Sequence, residues 1–399
     1  MRSTAFAIAA LVVNVRMAGA QVRPGIEVLL ADSLHILRDK RVGLITNHTG
    51  LDRAGRRNVD LLFKATGVKL VALYGPEHGF GGAVRGGDKI GFAMDTLTGL
   101  PVHSLYGETR VPSAEMLKDV DVLVYDIQDV GARVYTYVWT MALAAEAAAR
   151  LGKHFVVLDR PNPIRADRVE GGVLEPRYRS FVGQYDVALR YGLTPGELLR
   201  FLVGTGRIKA NITVIPMQGY RRSMFYSETG IPWVNPSPNI RDEEAALLYP
   251  GTVFFEATNL SEGRGTEAPL KQVGAPWLTD ARAIAREMNA LNLPGVHFEA
   301  RHMQVRAGEK HGGKTIPAIR LNVTNKNTIE PVTTAVQLMR VIHRRHPREW
   351  QWRENGIERL AGTAQLRRAV ERGNLSALLA RWRRESTEFL RVSRGYRLY

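Results

Sequence analysis

The chain has 399 residues, of which 45% are hydrophobic and 24% charged, so it is long enough for two or three globular domains. It contains no cysteine, which excludes thiol catalysis, disulfide bonds and cysteine-ligated metal sites. The formal net charge of +16 favours anionic partners, although much of it is arginine on predicted helices near the C-terminus, where solvated helix faces are the favoured explanation for most of it.

The first 20 residues have the pattern of a secretory signal peptide. Arg2 precedes an apolar run at 5–13, and Ala18-Gly19-Ala20 fits a small-x-small cleavage site. The apolar run is too short to cross a bilayer, and no later segment has 18 uninterrupted apolar residues. We therefore expect residues 1–20 to be a signal peptide that exports the protein to the periplasm or the extracellular space, with no transmembrane segment beyond this leader.

Short apolar runs alternate with helical patterns in the first half of the chain. Strands are predicted at 41–46, 70–74, 102–106, 121–125, 154–158 and 212–216, with helices at 58–65, 113–118, 137–151 and 194–203. Continuous apolar strands that alternate with helices are typical of a parallel sheet covered on both faces. The sequence therefore predicts an α/β fold.

The pattern changes in the second half of the chain. A further strand is predicted at 252–256, before a polar loop at 258–266. Beyond about residue 280, strands at 296–298 and 318–323 are mixed with helices at 281–291, 332–343, 359–372 and 375–389. This order predicts a smaller α+β unit that follows the parallel sheet.

Polar residues follow almost every predicted strand of the sheet. In open α/β sheets the ligand binds at the carboxyl ends of the strands, so these side chains are expected to converge on one crevice. The expected crevice residues are Asn47, Glu77, His78, Asp126, Asp129, Arg133, Asp159 and Asn162. Glu77 and His78 lie in a glycine-rich loop at 75–87, which allows the backbone to approach a ligand closely, but a surface turn with both side chains solvated is an equal alternative.

Several kinds of site have no support in the sequence. No G-x-G-x-x-G follows the first strand, and there is no Walker A lysine loop, no H-E-x-x-H and no G-x-S-x-G. The few aromatic residues near Arg133 do not make a convincing surface for single-stranded nucleic acid. We therefore expect no cofactor, no metal and no nucleic-acid partner.

After these exclusions, the sequence still offers a site that works through carboxylate side chains. Glycoside hydrolysis typically needs one protonated carboxyl group for the leaving oxygen and a second group that activates water or attacks the sugar. Arg133 and Arg264 can bind an anionic group of a substrate or pair with nearby carboxylates. Tyr106 and Tyr135 can stack on a sugar or pack in the core. The carboxylates expected near the crevice are Glu77, Asp126, Asp129, Glu256 and Glu262.

The sequence resembles the NamZ/YbbC-type exo-β-N-acetylmuramidases from about residue 25 to residue 399. The shared motifs are GLITNHTG at 43–50, GPEHG at 75–79, YDIQDVGAR at 125–133, DRPNP at 159–163 and TNLSEGRGT at 258–266. The resemblance implies a Rossmann-like parallel-sheet catalytic domain at 21–265, a smaller auxiliary α+β C-terminal domain at 266–399, and a site between them. It implies hydrolysis of the β-1,4 bond that releases N-acetylmuramic acid from the non-reducing end of peptidoglycan fragments.

The resemblance also suggests roles for individual residues. Glu77 matches the glutamate proposed as catalytic in the family, with His78 beside it. The residues expected to bind substrate are Asn47, Tyr106, Asp126, Asp129, Arg133, Tyr135, Asn259, Glu262 and Arg264. The expected partners are peptidoglycan-derived glycans that contain N-acetylmuramic acid. An arginine in the site is expected to bind the lactyl carboxylate of this sugar. The alternative is a cell-envelope protein that binds peptidoglycan without hydrolysing it.

Overall fold

A computed structural model of the protein describes residues 21–399, so the predicted signal peptide lies outside the described residues. The strands are β1 Arg41–Thr46, β2 Lys69–Gly75, β3 Ala93–Met94, β4 Pro101–Ser104, β5 Val122–Asp126, β6 His154–Leu158, β7 Glu170–Val173, β8 Ala188–Arg190, β9 Ile212–Ile215, β10 Gln272–Gly274, β11 Val296–Gln304 and β12 Thr315–Val323. The α-helices are α1 Gly25–Val28, α2 Asn58–Phe63, α3 Tyr137–Arg150, α4 Pro195–Gly204, α5 Glu243–Thr252, α6 Ala281–Ala290, α7 Pro331–Arg345, α8 Gly356–Ala361, α9 Gln365–Glu371 and α10 Ser376–Val392. None of the helices in this described part of the chain is long and apolar enough to cross a membrane.

Seven strands form the main sheet, in the order β3-β4-β2-β1-β5-β6-β9. The pairs between β4 and β9 are all parallel, and the short edge strand β3 is antiparallel to β4. Counted along the chain, the six parallel strands have the order 3-2-1-4-5-6 of a Rossmann-like fold, which reverses between β1 and β5. The predicted α/β class with a Rossmann-like parallel sheet is therefore confirmed.

The main sheet is buried on both faces because successive residues of its strands point to opposite sides. Val42 and Leu44 pack with α1 and α2 in one apolar cluster. Ile45 and Leu123 face the other way and pack with the alanine-rich helix α3 in a larger cluster. This larger cluster continues through α5 and α7 into the C-terminal part, so one continuous core joins the two halves of the chain.

The C-terminal part contains a second, smaller sheet. Its three strands are antiparallel in the order β10-β12-β11, and α6 packs against β11 and β12. This agrees with the predicted α+β character of the region, whereas the predicted domain boundary at 265/266 stays a prediction. Strands β7 and β8 form a separate antiparallel pair that the sequence did not reveal.

Three predicted elements differ from the structure. Residues 252–256 were expected to be a strand, but they end α5 and continue into a 3-10 helix, Val253–Ala257. The predicted helix at 113–118 consists of turns. The predicted helix at 359–372 is interrupted between α8 and α9 because Gly362 adopts a left-handed conformation with φ of 73° that caps α8.

Candidate active site

A cavity of about 780 Å³ opens beyond the carboxyl ends of β2 and β4, a volume that suits a small ligand. Residues from both halves of the chain line it, and the charged ones include six cationic side chains and four glutamates. The cationic residues are Arg85, Arg110, Arg264, Lys310, Arg353 and Arg359, and the acidic residues are Glu77, Glu256, Glu262 and Glu309. The excess of positive charge favours an anionic ligand.

Glu77 is held in the cavity by two hydrogen bonds. It follows β2 by two residues, in the turn that begins at Pro76, and it is half-buried. One carboxylate oxygen accepts a bond of 2.7 Å from the Thr136 hydroxyl, and the other accepts one of 3.0 Å from the Gly87 backbone N–H. These bonds fix the orientation of the carboxyl group and leave further lone pairs free to meet a ligand.

His78 is buried beside Glu77, and its orientation is also fixed. Its Nδ1 lies 2.8 Å from the Val84 carbonyl oxygen, which can only accept, so the neutral ring carries its proton on Nδ1. The Nε2 lone pair is therefore available. The ring edge faces Gly86, where a Cβ would lie 3.2 Å from the His78 ring and 3.5 Å from the Glu77 carboxylate, so a larger residue would crowd both side chains.

The pH dependence of stability is expected to report on His78. Burial lowers its pKa from the ordinary value of about 6.5, and the bond to Val84 only partly opposes this. Between the lowered native pKa and about 6.5 the unfolded state binds more protons, so the free energy of unfolding decreases as the pH falls through this window. In urea unfolding from pH 4.5 to 7.5, the free energy of unfolding of His78→Asn should gain less than that of the wild type as the pH rises, and asparagine tolerates the φ of 68° at this position. Equal slopes in both proteins would contradict this assignment.

One side of the cavity carries an arginine above two aromatic rings. The Arg110 guanidinium carbon lies 4.2 Å from the centre of the Phe181 ring and 5.4 Å from that of Tyr106. The two rings are 5.8 Å apart and tilted by 43°. Burial, followed by the Glu77 carboxylate, raises the pKa of Tyr106 to about 12, and Arg110 lowers it. The Tyr106 side chain thus lies close to both Glu77 and Arg110.

The opposite wall is a network of ion pairs. Arg264 pairs with Glu256 and, at 3.2 Å, with Glu262. Lys310 pairs with the other Glu262 oxygen at 3.1 Å and also donates to the carbonyl oxygens of Phe255, Thr258 and Leu260. Burial raises the pKa of Glu262, but the charges of Lys310 and Arg264 outweigh it and hold this pKa below its usual range.

Arg85 connects the loop that carries Glu77 with the loop that carries Lys310. Its guanidinium donates to the Gly308 carbonyl oxygen at 3.1 Å and lies 3.4 Å from a Glu309 carboxylate oxygen. Arg85 belongs to the glycine-rich loop that carries Glu77, and Gly308 belongs to the loop of Lys310. A direct contact between loops from the two halves of the chain therefore forms part of the cavity lining.

The structure brings six of the eleven predicted site residues to the cavity and five elsewhere. The six that line it are Glu77, His78, Tyr106, Tyr135, Glu262 and Arg264. The five that do not line it are Asn47, Asp126, Asp129, Arg133 and Asn259. The roles of the first group in catalysis and substrate binding stay predictions, and the second group requires a different explanation.

Asp126 has hydrogen-bond partners on both carboxylate oxygens, and Asp129 has partners on one of them, Oδ2, among the described residues. Asp126 is fully buried at the end of β5, where it accepts from Arg160 Nε at 2.5 Å and Nη2 at 3.0 Å and from the Asn58 amide at 2.9 Å. Asp129 accepts from the Tyr191 hydroxyl and, at 2.6 Å, from the Gly131 N–H, while burial raises its pKa to about 6. Both carboxylates stabilise the loops after the strands instead of facing the cavity.

Asn47 and Asn259 also have partners in the protein backbone. The Asn47 side-chain oxygen accepts from both the N–H and the hydroxyl of Thr49. The Asn259 amide donates to the Glu349 carbonyl oxygen at 2.8 Å, and its oxygen accepts from the Gln351 N–H at 3.1 Å. Their side chains shape the neighbouring turns, which explains why these residues belong to recognisable motifs without lining the cavity.

Arg133 lies behind the cavity wall. It is fully buried and donates from Nη2 to the Leu360 carbonyl oxygen at 2.9 Å, while Nε and Nη1 have no hydrogen-bond partner among the described residues. Burial without an acidic partner lowers its pKa, but an arginine stays charged at neutral pH. Its neighbours Val134, Tyr135 and Thr136 line the cavity, so this charge adds to the positive potential there.

Sequence reasoning missed other cavity residues. Arg110 follows β4 by six residues, so the rule that placed Glu77 after β2 could have found it. Thr136, Arg85 and Lys310 gave no comparable signal, because their roles depend on contacts with distant parts of the chain. Within residues 21–399, no group of three or more histidine, aspartate or glutamate side chains is arranged to hold a metal ion.

The fold and the cavity define an α/β enzyme whose site is centred on a carboxylate and suited to an anionic ligand. Two family models match the chain: "Exo-beta-N-acetylmuramidase NamZ, N-terminal" over residues 42–244 and "Exo-beta-N-acetylmuramidase NamZ, C-terminal" over residues 247–399. The chain therefore belongs to the NamZ family of exo-β-N-acetylmuramidases, which are glycoside hydrolases, and the resemblance found in the sequence is confirmed.

Comparison with individual relatives supports the same family assignment. The chain is 40% identical over 381 residues to the peptidoglycan β-N-acetylmuramidase NamZ of Bacillus subtilis strain 168, covering 95% of this chain and 92% of the relative. Two crystal structures of DUF1343 family proteins from Bacteroides fragilis NCTC 9343 are similar, with TM-scores of 0.89 and 0.75 at 37% and 29% identity. Each match covers 95% of this chain and 99% of the solved one.

Proposed function

We propose that the chain is an exo-β-N-acetylmuramidase that hydrolyses the β-1,4 glycosidic bond and releases N-acetylmuramic acid from the non-reducing end of peptidoglycan fragments, with Glu77 as its general acid. The observation that carries the assignment of Glu77 is its placement. Hydrogen bonds from Thr136 and Gly87 hold this glutamate in the cavity, whereas Arg264 and Lys310 neutralise the glutamates of the opposite wall.

The chemistry follows from these positions. Protonated Glu77 donates its proton to the glycosidic oxygen as the bond to C1 of the muramic acid breaks, because an unprotonated sugar alkoxide is a poor leaving group. Water supplies a hydroxyl group to C1 and gives up a proton, which restores the acid at the end of the cycle. The free Nε2 of His78 is placed beside Glu77 to accept a proton or a hydrogen bond during these transfers.

The proposal includes export. The sequence pattern of residues 1–20 supports it, and the net charge of +16 suits a protein that acts on an anionic cell wall. A mature protein that begins at Gln21, as read by N-terminal sequencing of the exported material, is the expected outcome. A protein retained in the cytoplasm with Met1 intact would contradict this part of the proposal.

Two chromogenic substrates test the activity. The purified protein should release 4-nitrophenol from 4-nitrophenyl β-N-acetylmuramic acid and much less from the β-N-acetylglucosamine glycoside, because the cationic cavity favours the substrate with a carboxylate. Equal release from both glycosides would indicate a general hexosaminidase. Binding of peptidoglycan fragments without release from either glycoside would favour the alternative, a binding protein without turnover.

A further inference from the structure

Most cationic side chains of the cavity already have partners. Arg264 pairs with two glutamates, and Lys310 with Glu262 and three carbonyl oxygens. Arg85 donates to Gly308 and contacts Glu309, and Arg353 donates to the Glu256 carbonyl oxygen at 3.3 Å. Arg264 and Lys310 therefore have little capacity left to bind a substrate anion, and Arg85 and Arg353 each have part of their guanidinium engaged.

Arg110 is different from these four. It is exposed in the cavity, and among the described residues no carboxylate lies within 4.0 Å of its guanidinium. The rings of Phe181 and Tyr106 hold the guanidinium from below, at 4.2 and 5.4 Å from their centres. Stacking on aromatic rings leaves the edge of the guanidinium free, and this edge carries the N–H groups that bind a carboxylate through two parallel hydrogen bonds.

We propose that Arg110, supported by Tyr106 and Phe181, forms the subsite that binds the carboxylate of the acidic sugar. This inference rests on the proposed function, which places an N-acetylmuramic acid residue beside Glu77. The sugar carries its lactyl carboxylate on O3, on the same ring as the C1 atom whose bond is broken. The carboxylate subsite must therefore lie within one sugar ring of the catalytic carboxyl group.

The position of Arg110 meets this requirement. Glu77, Tyr106 and Arg110 line the same cavity, and the Arg110 guanidinium carbon lies 5.4 Å from the centre of the Tyr106 ring. The proposed general acid and the proposed carboxylate-binding residue therefore face the same cavity, where one sugar can contact both. Arg353 and Arg359 are the other cavity cations without an ion pair in the described part of the chain, but neither stacks on an aromatic ring among these residues.

The test compares two substrates that differ only at the lactyl group. One is 4-nitrophenyl β-N-acetylmuramic acid, and the other is the same glycoside with the lactyl carboxylic acid converted to its amide. The wild type should prefer the acid by roughly 10- to 100-fold in kcat/KM, the range expected for hydrogen bonds to a charged group. In Arg110→Gln this preference should fall to near one, with the loss confined to the acid substrate. Arg110→Lys should keep part of the preference.

Arg359→Gln is the matched control, and it should retain the wild-type preference for the acid. If Arg110→Gln lowers kcat/KM equally for both substrates, Arg110 only supports the aromatic rings and the inference fails. If Arg359→Gln instead abolishes the preference for the acid substrate, Arg359 binds the carboxylate and the inference also fails.

Calorimetry separates this inference from the proposed function. Binding of free N-acetylmuramic acid to the wild type should be roughly 10- to 100-fold tighter than to Arg110→Gln, whether or not the protein turns over a glycoside. An inactive wild type that shows this difference would overturn the proposed function and keep the subsite. An active wild type without this difference would overturn the subsite alone.

Discussion

Replacement of Glu77 by glutamine should lower kcat on the disaccharide N-acetylmuramic acid-β-1,4-N-acetylglucosamine by about 10²- to 10⁴-fold, the range that general acid–base catalysis supplies. Glutamine has nearly the same shape and can still accept the hydrogen bonds from Thr136 or Gly87, but it cannot donate a proton to the leaving oxygen. Release of the two sugars, followed by chromatography, measures the effect.

A comparison of two substrates with different leaving groups tests whether Glu77 acts as the general acid. 4-Nitrophenolate leaves without protonation, so Glu77→Gln should lose much less activity on the 4-nitrophenyl glycoside than on the disaccharide. Glu115→Gln is the control, because Glu115 is an exposed glutamate that pairs only with Lys118, and it should leave both rates unchanged. An equal loss on the two substrates would assign Glu77 to another step, and no loss would remove it from catalysis.

Replacement of Asp126 by asparagine should lower the free energy of unfolding by about 3–5 kcal/mol, the cost of breaking a buried ion pair from one side. Asp126 and Arg160 are both almost fully buried, and the guanidinium binds the carboxylate through two nitrogen atoms. Asparagine is similar in size but uncharged, so it leaves the arginine charge in the interior without compensation. Urea unfolding monitored by circular dichroism measures the change.

The exposed ion pair between Arg41 and Asp119 provides the comparison. Its atoms are 3.3 Å apart, but both side chains are well exposed. Asp119→Asn should therefore change the free energy of unfolding by less than about 1 kcal/mol. If Asp126→Asn is as mild as Asp119→Asn, the buried pair is not a structural element, and Asp126 again becomes a candidate for a role in the site.

The main sheet could be predicted because each of its long strands is a continuous apolar run that ends in polar residues. The prediction of a strand at 252–256 was wrong because an apolar segment that is buried on all sides has no periodicity. The sequence patterns of a short helix and a strand are then the same. The better signal lay upstream, where the Asp242 side chain accepts from the Ala245 N–H and caps α5. The edge strand β3 and the pair β7–β8 are too short to show a pattern.

The candidate site was predictable only in part. A residue that follows a strand reaches the correct edge of the sheet, but its partners decide which way its charge faces. Asp126 pairs with Arg160, which is 34 positions away in the chain, whereas Glu77 accepts hydrogen bonds from the Thr136 hydroxyl and the Gly87 N–H. No local pattern encodes such pairings. The sequence therefore identified the edge correctly and could not distinguish the structural carboxylates from those that line the cavity.

The contact between Arg85 and Gly308 has a consequence for how the enzyme matures. These residues are 223 positions apart, and joining them closes a very long loop of chain at a cost in entropy. Local helices form far earlier than contacts of this span. During refolding from urea, recovery of glycosidase turnover should accordingly lag behind recovery of the far-ultraviolet helical signal, which makes catalysis itself a reporter of the joining of the two halves of the chain.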